Sequence, residues 1–174
     1  MSEIYPARTN QKLSFARLHL EALAQAQDSN VWNRHGLIES YHESVLFHLK
    51  GALVAFVREI GERYRLDVAE IGEPAQLQAQ LEVTGQEAPE LNELVLLSAQ
   101  AGSWLYRLER AYAACWGASD GAQTQRQDQS LSEIHVMQVN PDHAEDADLL
   151  TELRQWFVEL ESLVDRLRGT MLEW

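Results

Sequence analysis

Cysteine is almost absent from this sequence, in which Cys115 is the single example among 174 residues. One thiol cannot form an intrachain disulfide, and such usage is expected in a reducing cytosol. Long apolar runs are missing as well. The longest, residues 52–57, is far too short to span a bilayer, and the N-terminal residues carry no apolar signal core. We therefore predict a cytoplasmic protein that neither spans nor binds a membrane.

Positive charge is also scarce. The chain has 14 Lys and Arg residues, only two of them Lys, against 27 Asp and Glu residues, and its net charge is −13. A surface that binds phosphate backbones needs clustered Lys and Arg, whereas these residues are scattered along the chain. We expect no binding to nucleic acid or to anionic lipid.

Familiar catalytic motifs are missing too. The sequence contains no glycine-rich phosphate loop, no paired-cysteine motif, no His-Glu-x-x-His and no serine elbow. No catalytic residue is therefore predicted.

Helical periodicity is the strongest positive signal. Between residues 33 and 65, apolar side chains recur at spacings of three, four and seven. The opposite side carries small residues rather than charges, so we predict a central helix packed on both sides. Proline or capping residues mark the starts of most other helical segments. The further predicted helices are 6–27, 74–83, 89–116 and 141–172.

The connections complete the predicted architecture. The turn at residues 28–30 is short enough to make the first two long helices antiparallel neighbours. Residues 117–130 are polar and predict a mobile loop, and residues 132–139 predict a short extended crossover segment. The predicted fold class is all-α. Residues 1–174 are expected to form one domain, an up-down-up-down four-helix bundle with one small extra helix.

Several segments together carry a family resemblance: YPARTNQKL, IESYHESVLFHLKGAL, APELNEL, AYAACW and VNPD. On these the chain resembles an uncharacterised family of pseudomonad proteins, a domain of unknown function. The resemblance covers nearly the whole chain. It implies an all-helical bacterial cytosolic protein and carries no activity, catalytic residue or cofactor.

One constellation could carry chemistry. Glu39 and His42 have the Glu-x-x-His spacing that places two metal ligands on one helix face in di-iron bundles. If helices 33–65 and 89–116 are antiparallel with flush ends, Glu109 lies next to the level of His42, and the same counting places His19 there. These four residues form a candidate site for a divalent or iron-type metal.

The alternative is a structural role for the same layer. His42 and Glu109 could form a buried hydrogen-bonded pair without any metal. Replacing His42 by Leu would then leave a carboxylate unpaired and cost about 1–3 kcal/mol. The chain lacks the second Glu-x-x-His that di-iron bundles usually show, which favours the structural pair.

A second apolar face on the long helices indicates partner binding. Its residues are Phe47, Val54, Leu97 and Trp104. Our first interpretation is therefore a non-enzymatic interaction or accessory protein that has no cofactor and binds a protein partner or itself. The alternative is a metal- or small-ligand-binding bundle, which includes a di-metal oxidoreductase, centred on Glu39, His42 and Glu109.

Overall fold

The computed structural model describes residues 4–117, 143 and 146–172, except for the side chain of residue 172. These residues form six α-helices and no strand, which confirms the all-α prediction for the described part of the chain. The helices are α1 (Ile4–Asp28), α2 (Arg34–Arg63), α3 (Pro74–Thr84), α4 (Pro89–Ala99), α5 (Trp104–Ala114) and α6 (Leu149–Leu172).

Helix α2 occupies the centre, as its two packing faces predict. It contacts each of the other five helices, and α1 packs along it most extensively. Its apolar stripe is fully buried at Ile38, Val45, Leu49 and Phe56. Near its C-terminal end, Gly61 permits a close approach, because a Cβ there would lie 2.4 Å from Val68 Cγ1. One continuous apolar core joins all six helices around α2.

The starts of α3 and α4 follow the sequence signals. Pro74 opens α3, where the Glu73 backbone N–H donates to Gln76 Oε1 at 3.0 Å in a capping box. Gly85 ends this helix in the left-handed conformation, with φ of 68°. Pro89 opens α4. Proline suits the first helical turn because the backbone N–H that it lacks would have no intrahelical partner there.

The predicted single helix over residues 89–116 is wrong, because the chain divides there into α4 and α5. Gly102 adopts a φ of 90°, which the helix cannot accommodate. Ser103 then caps α5: its Oγ accepts from the Tyr106 backbone N–H at 3.0 Å and donates to the Leu97 carbonyl at 2.5 Å. The segment therefore forms two separate helices, and the position of Glu109 cannot be counted along a single helix from Pro89.

Three predicted features lie wholly or largely outside the described residues. They are the loop at 117–130, the extended crossover at 132–139 and the helix start at residue 141. The described part of the last helix begins at Leu149. The up-down-up-down order and the single domain remain predictions.

Among the described residues, no helix has both the length and the apolar character that crossing a membrane would require.

Candidate metal centre

Helix α2 presents Glu39 and His42 one turn apart, as the Glu-x-x-His spacing predicts. His42 is buried, with 6% of its surface exposed, and the Glu39 side chain is 21% exposed. The two residues therefore lie at the edge of the core, where α2 faces the segment that leads into α6.

His143 joins them from that segment. Its backbone N–H donates to Glu39 Oε1 at 2.7 Å, and its ring Nδ1 lies 2.8 Å from Glu39 Oε2. The ring centroids of His42 and His143 are 4.1 Å apart. Glu39 thus holds the backbone and the ring of His143 against the ring of His42.

The three side chains bring potential ligand atoms together. One nitrogen from each histidine and one carboxylate oxygen of Glu39 all lie within 4.8 Å of one another. Two imidazoles and a carboxylate can coordinate a transition metal, and a single ion could reach all three. We call Glu39, His42 and His143 the histidine–glutamate cluster.

The environment keeps the His42 ring neutral. The pKa of His42 is lowered from 6.5 to about 4 by burial and, secondarily, by the charge of His143, against the opposing effect of Glu39 and Asp146. His42 Nδ1 is buried and finds no hydrogen-bond partner among the described residues. Buried polar atoms are normally satisfied, so this nitrogen requires an explanation.

A cavity of about 150 Å³ adjoins the cluster. Trp156 also lines it, and the indole Nε1 of this tryptophan is a second buried atom without a partner in the described part of the chain. Two orphaned polar atoms on one cavity are typical of a site that holds a polar occupant. Asp146 and Glu152 add carboxylates to the lining.

Cys115 lines the same cavity as a protonated thiol. Burial, followed by the charge of Glu43, raises the pKa of Cys115 to about 11, and its Sγ donates to the Ala111 carbonyl at 3.4 Å.

Glu109 does not pair with His42, so the predicted His42–Glu109 hydrogen bond is wrong. Glu109 Oε1 instead accepts from Lys50 Nζ at 2.9 Å, and Lys50 also pairs with Glu73 at 2.9 Å. The level of Glu109 was derived from an unbroken helix over residues 89–116. The break before Ser103 removes the assumption on which this level depends, and Glu109 pairs with Lys50, about two turns along α2 from His42.

His19 also lies apart from the cluster. Its ring stacks on His48 with centroids 5.0 Å apart and lies 6.1 Å from the ring of Tyr41. The structure thus groups Glu39 and His42 with His143, and not with Glu109 or His19. His143 is absent from the predicted ligands, because nothing in its local sequence pattern connects it to a residue about one hundred positions earlier.

The four predicted interaction residues have different environments. Phe47 is 50% exposed, and the Lys12 ammonium lies 4.3 Å from its ring centroid. Val54 is half-buried. Leu97 and Trp104 are half-buried and pack against the core, so they do not form an open apolar patch.

Comparison with known proteins and protein families identifies the family of this chain. No curated protein and no solved structure matches the chain. A family model described as a family of unknown function, DUF6586, matches residues 1–174. Because the match covers the full length, the chain belongs to the family of unknown function DUF6586.

Proposed function

We propose that the protein binds a divalent transition-metal ion at Glu39, His42 and His143. One observation carries the proposal: the ligand-type atoms of these three side chains lie within 4.8 Å of one another. The proposal does not use Glu109 or His19, because Lys50 and His48 are their neighbours instead.

The contacts of each ligand support this assignment. A His143 ring that donates from Nδ1 to Glu39 leaves Nε2 as the free ligand atom, an arrangement common around protein-bound metals. His42 Nδ1 has no partner among the described residues, so coordination there would break no hydrogen bond. Glu39 would either coordinate directly or orient His143.

The donor set narrows the choice of metal. Two imidazoles and one carboxylate suit zinc and ferrous iron, whereas soft monovalent copper prefers thiolate and thioether ligands. With two or three protein ligands, a metal beside the cavity of about 150 Å³ would keep a coordination position for water or a small ligand. We assign binding, and no reaction, to this site.

Metal analysis of protein purified without a histidine tag tests the proposal. We expect about one equivalent of bound metal, and the chelator-stripped protein should take up Zn²⁺ or Co²⁺ at the same stoichiometry. His42→Leu and His143→Leu should abolish this uptake. Glu39→Gln should weaken it by about 10–100-fold if Glu39 orients His143.

His48→Leu is the matched control for these variants. His48 is another histidine of α2 with a buried Nδ1 that lacks a partner in the described part of the chain, but it lies outside the cluster. This variant should bind metal as the wild type does. Absence of binding by the wild type, or equal loss in His48→Leu, would contradict the proposal.

A second candidate function is self-association, the simplest form of the partner binding that the sequence indicates. The exposed ring of Phe47 and the 97% exposed side chain of Trp32 favour it. Sedimentation at increasing concentration should show a dimer that Phe47→Ser weakens. Val83→Ser, at an 88% exposed apolar position on α3, is the control and should leave the dimer intact. A wild type that stays monomeric at every concentration would exclude this candidate.

A further inference from the structure

A second cavity, of about 230 Å³, has an unusual charge for this acidic chain. Arg8, Lys12, Lys50 and Arg58 line it, and no Asp or Glu does. Both lysines of the sequence are among these four residues. In a chain of net charge −13, such a concentration of cations is a local feature and not the general character of the surface.

Lys12 is the exceptional member of this set. It is 8% exposed, and among the described residues it has neither an ion pair nor a hydrogen bond. Its ammonium lies 4.3 Å from the centroid of the Phe47 ring. Burial and, secondarily, the charge of Arg8 lower the pKa of Lys12. The Lys12 ammonium borders the cavity without a counterion among the described residues, and a bound anion would supply one.

Unlike Lys12, the other three cations of the cavity form hydrogen bonds or ion pairs with described residues. Lys50 contacts two carboxylates, each at 2.9 Å, and Arg58 Nε donates to the Ile71 carbonyl at 2.6 Å. Arg8 bonds the side-chain carbonyl of Gln11. Of the four cations, Lys50 alone has carboxylate partners among the described residues, and Lys12 alone has neither an ion pair nor a hydrogen bond there.

The aliphatic part of the Lys12 side chain packs between α1 and α2, against Gly51. A Cβ on Gly51 would lie 3.1 Å from both Cδ and Cε of Lys12, so the glycine makes room for this side chain. Phe47 and Tyr112 form the aromatic part of the lining. Cationic and aromatic groups thus meet within a single cavity.

We propose that this cavity binds a small organic anion, a phosphate or carboxylate that carries one aromatic or compact apolar group. The anion pairs with Lys12 and Arg8, and its apolar group packs against Phe47 and Tyr112. A cavity of about 150 Å³ is known to hold benzene, so the observed volume accommodates one ring together with its charged group. The site shares no lining residue with the cavity at the histidine–glutamate cluster.

Calorimetric titration in phosphate-free, low-salt buffer tests the proposal with four probes. Phenyl phosphate and benzoate combine a ring with an anion, whereas inorganic phosphate and phenol each supply one part. We expect at least one of the ring-bearing anions to bind about tenfold or more tightly than either partial probe. Comparing phenyl phosphate with benzoate shows whether the site prefers a phosphate or a carboxylate.

Lys12→Met and Arg17→Met form a matched pair of variants. Both remove one positive charge from α1, and in the wild type each of these cations lies over an aromatic ring. Arg17, however, already has a carboxylate partner, Glu161, at 2.7 Å. Lys12→Met should weaken binding of the preferred probe by about tenfold or more, and Arg17→Met should change it by less than about twofold.

Phe47→Leu provides a second, independent readout. It should weaken binding of the preferred ring-bearing anion and leave inorganic phosphate unchanged. The unfolding midpoint of Lys12→Met should equal or exceed that of the wild type, because the variant removes a cation that is repelled by Arg8 and has no counterion among the described residues. Failure of the wild type to bind either ring-bearing anion at millimolar concentration would overturn the proposal. Equal binding by wild type and Lys12→Met, or equal loss in both charge variants, would do the same.

Discussion

Replacing His42 by Leu separates the metal-binding role of this residue from a structural one. The wild-type side chain is 6% exposed, and its Nδ1 has no hydrogen-bond partner among the described residues. Glu39 stays bonded to His143 in the variant, so no carboxylate loses a partner. The cost of about 1–3 kcal/mol predicted from a His42–Glu109 pair therefore does not apply.

In the presence of a chelator, we expect His42→Leu to raise the free energy of unfolding and not to lower it. An unsatisfied buried polar atom costs about 1–3 kcal/mol, and leucine removes it while filling the same space with apolar atoms. The metal-free variant should be at least as stable as the wild type and up to about 3 kcal/mol more stable. For a chain of this length, each kcal/mol corresponds to roughly 2–4 °C in the unfolding midpoint.

Added metal should reverse the ranking. A ligand present at about one thousand times its dissociation constant stabilises the folded state by about 4.1 kcal/mol, and only the wild type would gain this. Chemical denaturation with EDTA and then with Zn²⁺ measures both effects. His48→Leu is the control, since it also removes an unpartnered buried Nδ1 but should keep the full response to Zn²⁺.

Two results would refute this reasoning. The first is a metal-free His42→Leu protein that is less stable than the wild type by more than about 1 kcal/mol, which would mean that His42 makes a favourable polar interaction. The second is an equal stabilisation of both proteins by Zn²⁺, which would place the metal elsewhere.

Three further predictions concern other parts of the molecule. Burial and, secondarily, the charge of Lys12 lower the pKa of His48 to about 4 from 6.5. Between pH 6.5 and pH 4 the unfolded chain therefore binds more protons than the folded chain, so the free energy of unfolding should fall as the pH drops through this range. His48→Leu should reduce this pH dependence in denaturation curves. Arg168 donates to both carboxylate oxygens of Glu59, at 2.7 and 2.8 Å. Arg168→Met should cost about 1.5–3 kcal/mol in unfolding free energy. Arg166→Met, which breaks an exposed pair, should cost less than about 1 kcal/mol, and equal costs would contradict this ranking. Electrophoretic mobility shift with DNA and RNA at physiological salt should show no binding, given the net charge of −13, and a salt-sensitive submicromolar complex would contradict this.

Much of the secondary structure follows from local chemistry in the sequence. The apolar stripe of α2 predicts a central helix because a repeat of 3.6 residues places those side chains on one face. Proline marks the starts of α3 and α4 at Pro74 and Pro89, as expected of a residue that needs no N–H partner. The break between α4 and α5 was missed, since Gly102 is equally consistent with close helix packing.

The sequence by itself determined the all-α class of the described residues, the position of α2 at the centre and the burial of His42. Each depends on spacing along one helix, and a helix repeats that spacing wherever it occurs. Only the tertiary structure decided the partners across helices. It placed Glu109 on Lys50, brought His143 to Glu39 and left Lys12 without a counterion among the described residues. Such pairings depend on where helices break and how they pack, and a change in the direction of one helix reassigns every contact along it.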